Sequence, residues 1–201
     1  MSGRAGAAGP GRAAGAGSSA RDWTRTSELW PAPLTVGVVS DTHMYPEPHG
    51  RSLPTILLDE LAKAGVGLIL HGGDIFAPWV LDQLAEIAPV LAVIGNGDSG
   101  DMRRVLPRSR VVMVAGHHLG LVHGHEGPGR NTPERARLGF AANPYVRCVV
   151  FGHSHQPYSR LKDDVILFNP GSPTDKRRAP YYSFGLLRIA ETIEPELVYF
   201  V

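Results

Sequence analysis

Five short apolar runs in this chain each end in Gly, Asp, Asn or His, and no other feature narrows its fold as far. "LTVGVV" leads through Ser40 into Asp41-Thr42-His43, "GLIL" into His71-Gly72-Gly73-Asp74, and "VLAVI" into Gly95-Asn96-Gly97-Asp98. "GLV" leads into His123-Gly124-His125, and "CVVF" into Gly152-His153-Ser154-His155. Apolar runs of this length, stopped by glycine and polar turn residues, read as buried strands. In open α/β sheets the carboxyl ends of strands form the crevice where ligands bind, so residues far apart in sequence can converge there. The glycines suit tight turns with close backbone approach.

The segments between these runs have the opposite character. Residues 52–65, "SLPTILLDELAKAG", read as an amphipathic helix stopped by Gly65, and residues 78–88, "PWVLDQLAEIA", as a second helix. Thr132 and Pro133 open a third through "PERARLGFAAN". Strand and helix therefore alternate, which predicts a layered α/β domain. "VVMVAGHHLGLVHG" reads as a hairpin turning at Gly116 to His118, and "VILF", "YYSFGLLRI" and "ELVYFV" predict an antiparallel C-terminal third.

With 201 residues, 43% of them hydrophobic, one domain with a real core is expected. It is placed at residues 34–201. Residues 1–33 are expected to be a disordered tail, because its Gly- and Ala-rich leader carries almost nothing large enough to bury. Twenty Lys and Arg against 19 acids give no argument for a broad nucleic-acid or membrane surface, so phosphate recognition is expected to be local. The single cysteine, Cys148, sits in an apolar run and has no internal partner, which points to a reducing compartment and hence the cytoplasm. No run approaches the roughly 20 apolar residues that span a bilayer.

Seven candidate ligands, Asp41, His43, Asp74, Asn96, His123, His153 and His155, are too many for one four-coordinate zinc. Two ions fit better, with a carboxylate bridging them at the spacing of about 3.5–4 Å that two-metal sites use. Asp74 is the expected bridge, because its strand lies between the others. Oxygen and imidazole donors without thiolate suit manganese first, with zinc, iron(II) and nickel as alternatives, and disfavour copper(I).

D-x-H, G-G-D, G-N-x-D, H-G-H and G-H-x-H, in this order across residues 41–155 and followed by "NPGS" at 169–172, resemble the calcineurin-like metallophosphoesterases. The match is best with the small bacterial and archaeal phosphodiesterase subfamily, to which the phosphoesterase-like subunit of retromer is also similar. The resemblance implies a β-sandwich flanked by α-helices in four αββα layers, with late antiparallel strands supplying much of the second sheet. It assigns Asp41, His43, Asp74 and His155 to one ion, and Asp74, Asn96, His123 and His153 to the other. The implied activity is hydrolysis of a phosphodiester, in a small ester or nucleotide, by a metal-bound hydroxide. Two other readings stay open. One is a non-catalytic protein-binding scaffold, which intact ligands argue against; the other is a phosphoprotein phosphatase, for which the chain leaves little room. Homo-oligomerisation also stays open.

Many members of the superfamily carry a histidine after the motif asparagine as the leaving-group acid; this chain has Gly97. His125 and Asp98 are therefore catalytic candidates, each weighed against a supporting role beside the metals. Arg103, Arg104, Arg108 and Arg110 are expected to be solvated, while Lys176, Arg177 or Arg178, after "NPGS", could meet phosphate. His117 and His118 are read as turn residues, His71 as support for the site, and Trp79, Tyr181 and Tyr182 as core or sheet-face aromatics.

Overall fold

The computed structural model describes residues 30–45 and 52–201, and two five-stranded mixed sheets face each other across its centre. In chain order the strands are β1 (Leu34–Val39), β2 (Leu68–His71), β3 (Val90–Ala92), β4 (Ser109–Val114), β5 (His117–Val122), β6 (Val146–Val150), β7 (Tyr158–Lys162), β8 (Val165–Asn169), β9 (Tyr182–Ile189) and β10 (Ile193–Phe200). The helices are α1 (Thr55–Lys63), α2 (Pro78–Ala85), α3 (Gly100–Val105) and α4 (Thr132–Leu138). The first sheet runs β10-β9-β1-β2-β3 and the second β4-β5-β6-β8-β7.

Between the sheets, Val36, Val38, Leu68 and Leu70 of the first meet Leu119, Leu121, Cys148, Val150 and Phe168 of the second. The alternate residues of the first sheet, Val39, Ile69, Phe184 and Leu186, pack on α1 and α2 through Leu57, Leu61, Val80 and Leu84. On the far side of the second sheet, Val149 and Leu167 pack on Ala136 of α4 and on Phe140 just beyond it. The order is therefore helix, sheet, sheet, helix, as the period-2 burial of each strand requires. Each fully buried leucine of α1 contributes roughly 1.5–3 kcal/mol by leaving water. That helix ends where Gly65, at φ 62°, lets the N–H of Val66 reach the carbonyl of Leu61 and its own N–H reach that of Ala62.

Several elements differ from expectation for identifiable reasons. The late strands do not all join the second sheet. β9 and β10 extend the first sheet antiparallel to β1. β9 is buried on both faces, with Phe184 and Leu186 on the helix side and Leu187 and Ile189 between the sheets, so it takes an interior position beside β1. β8 runs parallel to β6 and antiparallel to β7, a polar edge strand whose "YSRLK" carries no apolar signal. The β4–β5 turn is Ala115-Gly116, both left-handed at φ 50° and 81°, and Val114 faces His117. His117 and His118 are consequently strand residues; the His117 Nε2 lies 3.1 Å from the Ala190 carbonyl. α4 starts at Thr132 as read, and the residue before it caps the helix: the Asn131 side chain accepts the Glu134 N–H at 3.0 Å.

Residues 1–29 of the expected tail lie outside the described residues. Trp30 is half-buried against the inter-sheet core, and its carbonyl accepts the N–H of Ala115 at 2.6 Å. Among the described residues, packing is thus already present four residues ahead of Leu34. No helix among the described residues is long and apolar enough to cross a membrane.

Candidate metal centre

β1, β2 and β3 run parallel in the first sheet, as do β5, β6 and β8 in the second, and their carboxyl ends meet at one edge of the sandwich. The first sheet delivers Asp41, His43, Asp74 and Asn96 there, and the second His123, His125, His153 and His155. Asp41 and Asp74 are almost fully buried at the seam, with histidines arranged about them. The Asp74 Oδ2 lies 3.3 Å from His43 Nε2 and 3.4 Å from His123 Nε2; the Asp41 Oδ1 lies 3.4 Å from His155 Nε2 and 4.0 Å from the other two. Two groups of donor atoms, Asp41-His43-His155 and Asp41-Asp74-His123, are each tight enough to hold an ion. Asp41 belongs to both, while Asp74 spans histidines of both.

The tautomers are set from behind. The Nδ1 of His123 is 2.8 Å from the Gly72 carbonyl, and that of His155 bonds the Asp175 carbonyl. A carbonyl only accepts, so each Nδ1 carries a proton, and in the neutral ring each Nε2 presents a bare lone pair to the carboxylates. The Nε2 atoms of His43, His123 and His155 are buried without a hydrogen-bond partner. Three orphaned acceptors beside two carboxylates fit divalent cations, which satisfy both at once.

Charge in the cluster is correspondingly uneven. Burial pushes the Asp41 carboxyl up, against the pull of His123 and His155. Burial would do the same to Asp74, but the imidazoles of His123 and His43 beside it hold it well below the usual carboxylate range. Burial works against the charged form of His123 as well, yet Asp74 and Asp41 raise it. His153 is pushed down to about 4 by burial and by His123 and His125, so its imidazole is neutral and ready to donate a lone pair. Its ring stands edge-on to His123 with centroids 5.2 Å apart. Asn96 sits on the exposed rim.

The turns that carry the candidate ligands are strained in a consistent way. Asp41, His43, Asp74, His153 and His155 all adopt left-handed backbone conformations, with φ between 46° and 68°. Such residues cost about 1–3 kcal/mol each and persist where their surroundings over-determine them. Glycine is needed where the carboxylates back onto neighbouring turns: a Cβ at Gly95 would lie 2.0 Å from Asp74 Oδ1, and one at Gly152 2.6 Å from Asp41 Oδ2.

Several residues hold these turns in ways the sequence does not state, even where, as in "NPGS", the motif itself is recognisable. Asn169, at the end of β8, donates from Nδ2 to the Gly152 carbonyl at 2.8 Å, and its Oδ1 accepts the Gly171 N–H. The Ser172 hydroxyl donates to the Asp41 carbonyl at 2.7 Å, and Thr174 to that of Thr42 at 2.6 Å. "NPGS" therefore ties the two sheets' turns together. The backbone N–H of His153 donates to both Asp41 oxygens, at 3.1 and 3.0 Å.

The Asp98 carboxylate accepts four backbone N–H groups, from Asp74, Ile75, Phe76 and Gly95, at 2.8–3.1 Å. It is fully engaged as an acceptor. His125 points its Nε2 at Glu126, 3.2 Å away, and Glu126 pairs with Arg108 at 2.6 Å. His71 accepts the Gly73 N–H on Nδ1 and faces the Thr42 hydroxyl with Nε2 at 3.2 Å, bracing both turns.

Two of the four arginines expected in solvent are structural. Arg103 donates to the Asp98 carbonyl at 2.6 Å and the Asn96 carbonyl at 3.0 Å, and Arg110 is buried with Nε on the Ala92 carbonyl at 2.9 Å. α3, which no apolar periodicity announces, positions the first of them. After "NPGS", Lys176 bonds the Pro180 carbonyl and covers Tyr182, whereas Arg177 pairs at 3.6 Å with Asp175, whose carboxylate is 3.8 Å from His43. Trp79 and Tyr182 pack against the helix-side core, while Tyr181 is exposed.

This fold is that of a known family. The profile of the Calcineurin-like phosphoesterase superfamily domain matches residues 34–192. The chain belongs to that family. It is 37% identical over 166 residues to a probable metallophosphoesterase of Methanothermobacter thermautotrophicus, covering 82% of this chain and 92% of the relative. It is 29% identical over 161 residues to the phosphodiesterase YfcE of Escherichia coli, covering 69% and 82%. Among solved structures, Vps29 of Entamoeba histolytica complexed with Zn2+ superimposes with a TM-score of 0.65 at 22% identity, over 84% of this chain and 100% of that one, a likeness of fold.

Proposed function

We propose that this chain is a dinuclear metal-dependent phosphodiesterase. The observation that carries the reading is the convergence of three orphaned Nε2 atoms on Asp41 and Asp74 at the seam. Asp41, His43, Asp74 and His155 would hold one cation, and Asp74, Asn96, His123 and His153 the other. Manganese suits this oxygen and nitrogen set, with zinc, iron(II) or nickel as alternatives. Bound, such a pair supplies Lewis acidity toward a phosphoryl oxygen and acidifies a water at neutral pH.

The chain's own residues do the rest. The Gly72 and Asp175 carbonyls keep His123 and His155 in the donor tautomer, and Asp98 fixes the turn from which Asp74 projects. Asn96 and Gly97, on the exposed lip, border the side from which a small ester or nucleotide enters.

Metal analysis of protein reconstituted with manganese, paired with hydrolysis of bis(p-nitrophenyl) phosphate, tests the proposal. Two ions per chain and metal-dependent turnover are expected. One ion per chain or fewer, or turnover indifferent to chelator, overturns it.

A further inference from the structure

Phe76 occupies the place where a leaving-group acid would stand. A Cβ built on Gly97 would lie 2.3 Å from Phe76 Cε1 and 2.8 Å from Cζ, so the ring excludes any side chain beside Asn96. The ring is held there deliberately. Phe76 is left-handed at φ 73°, its N–H is fixed by Asp98 at 2.9 Å, and it lies against the His43 imidazole with centroids 4.5 Å apart. Tyr45, 64% exposed, meets its edge at 6.2 Å and is tethered by the Trp79 indole, which donates to the Tyr45 carbonyl at 3.3 Å. The result is a half-open aromatic step at the lip of the metal centre.

Two constraints follow for whatever departs on that side. Among the described residues no protonating group is at hand: Asp98 is saturated with amide donors and His125 directs its Nε2 to Glu126. The departing oxygen must therefore be a weak base before it leaves. The surface it passes is flat, apolar and aromatic, which suits a planar ring. An alkoxide, near the roughly 15.7 of water, fails the first constraint, and a phenoxide near about 10 meets it poorly. A phosphate monoester, with a second pKa of about 6, meets it well, and a nucleoside phosphate also brings the ring.

Resting on the phosphodiesterase reading above, we infer that the substrates are phosphoanhydride diesters from which a nucleoside phosphate departs, its base stacked on Phe76 and Tyr45. In the step, the oxygen of water bonds to one phosphorus. The bridging oxygen leaves with the bonding pair as part of the second phosphate, and the two protons of water pass to solvent or to the product phosphates.

The manganese-loaded full chain is assayed with ADP-ribose, P1,P2-dimethyl diphosphate, adenylyl-3′,5′-adenosine and bis(p-nitrophenyl) phosphate. ADP-ribose is expected to exceed the dinucleoside monophosphate, which has the bases but an alkoxide to expel, by about 100-fold or more in kcat/KM. It should exceed the dimethyl diphosphate, which lacks the base, roughly tenfold. Phe76→Ala should abolish that second ratio, and Phe76→Tyr should retain it.

Binding gives an independent readout: quenching of tryptophan fluorescence by adenosine monophosphate should weaken roughly tenfold in Phe76→Ala, and in part in the exposed variant Tyr45→Ala, with ribose 5-phosphate as the base-free probe. Equal rates on ADP-ribose and the dinucleoside monophosphate, or base preference and binding unmoved in both variants, overturn the inference while leaving the phosphodiesterase reading intact. Failure to cleave any of the four, the aryl diester included, overturns both.

Discussion

The Asp98 carboxylate accepts the backbone N–H of Ile75 at 2.8 Å across the gap between two turns, and in doing so it fixes the direction in which Asp74 leaves the main chain. Its other bonds, to Asp74, Phe76 and Gly95, close the same knot. Asp98→Asn keeps the shape but replaces one acceptor oxygen with a donor facing other donors. Metal affinity should fall about 10–100-fold and stability by roughly 1–3 kcal/mol. Isothermal titration with manganese and urea unfolding check both; an affinity equal to wild type would leave the knot without a role in positioning.

Asp74 stands 3.3–3.4 Å from histidines of both expected ion sites. Asp74→Ala should leave less than one ion per chain and almost no turnover, since a shared carboxylate is lost to both. His153→Ala, which removes a donor from one site only, should retain one ion. Elemental analysis by mass spectrometry distinguishes the two variants.

His71 is wholly buried and neutral, its imidazole pushed down to about 3 by burial, with His123 adding to the effect. The unfolded chain takes up a proton at this residue below about pH 6.5, whereas the folded chain does not until near 3. Stability from this group is therefore complete above pH 6.5 and is lost as pH falls, by up to about 1.4 kcal/mol per unit across that window. In the metal-free protein, His71→Gln should flatten the acid limb of the stability curve relative to wild type. Urea midpoints measured from pH 7.5 to 4.5 give the comparison.

Gly97 and Phe76 compete for one volume, so Gly97→His alone should destabilise the chain by about 1–3 kcal/mol. It should not improve the hydrolysis of alkyl diesters, because the new imidazole cannot seat. Combined with Phe76→Ala, part of the lost stability should return. Melting temperatures of the two single variants and the double variant give the coupling; strict additivity would show that the two positions do not share space.

The parallel strands and the turns after them were legible because β-structure buried on both faces writes itself as an unbroken apolar run, and the ligands follow where it stops. Which edge a strand joins is not written locally. "YSFGLLRI" looks the same whether it flanks β1 or extends the second sheet, and only packing on both faces decides for β1. Arg103 and Arg110 look like solvated charges because their partners are main-chain carbonyls, which any sequence offers. Asn169 and Ser172 likewise act through backbone groups brought near by the fold. The left-handed ligands were the least legible: glycine advertises such conformations, whereas Asp41 or His155 adopts one only because its neighbours force it.

The seam location of the centre has a mechanical consequence. Asp41, His43, Asp74 and Asn96 ride on one sheet and His123, His153 and His155 on the other, so ions held as proposed would act as rivets across the sandwich. Sliding the sheets by the length of one residue would separate the carboxylates from their imidazoles while leaving every strand ladder whole. Occupancy of the centre is thus a gauge of how the two sheets are docked, independent of whether either has formed.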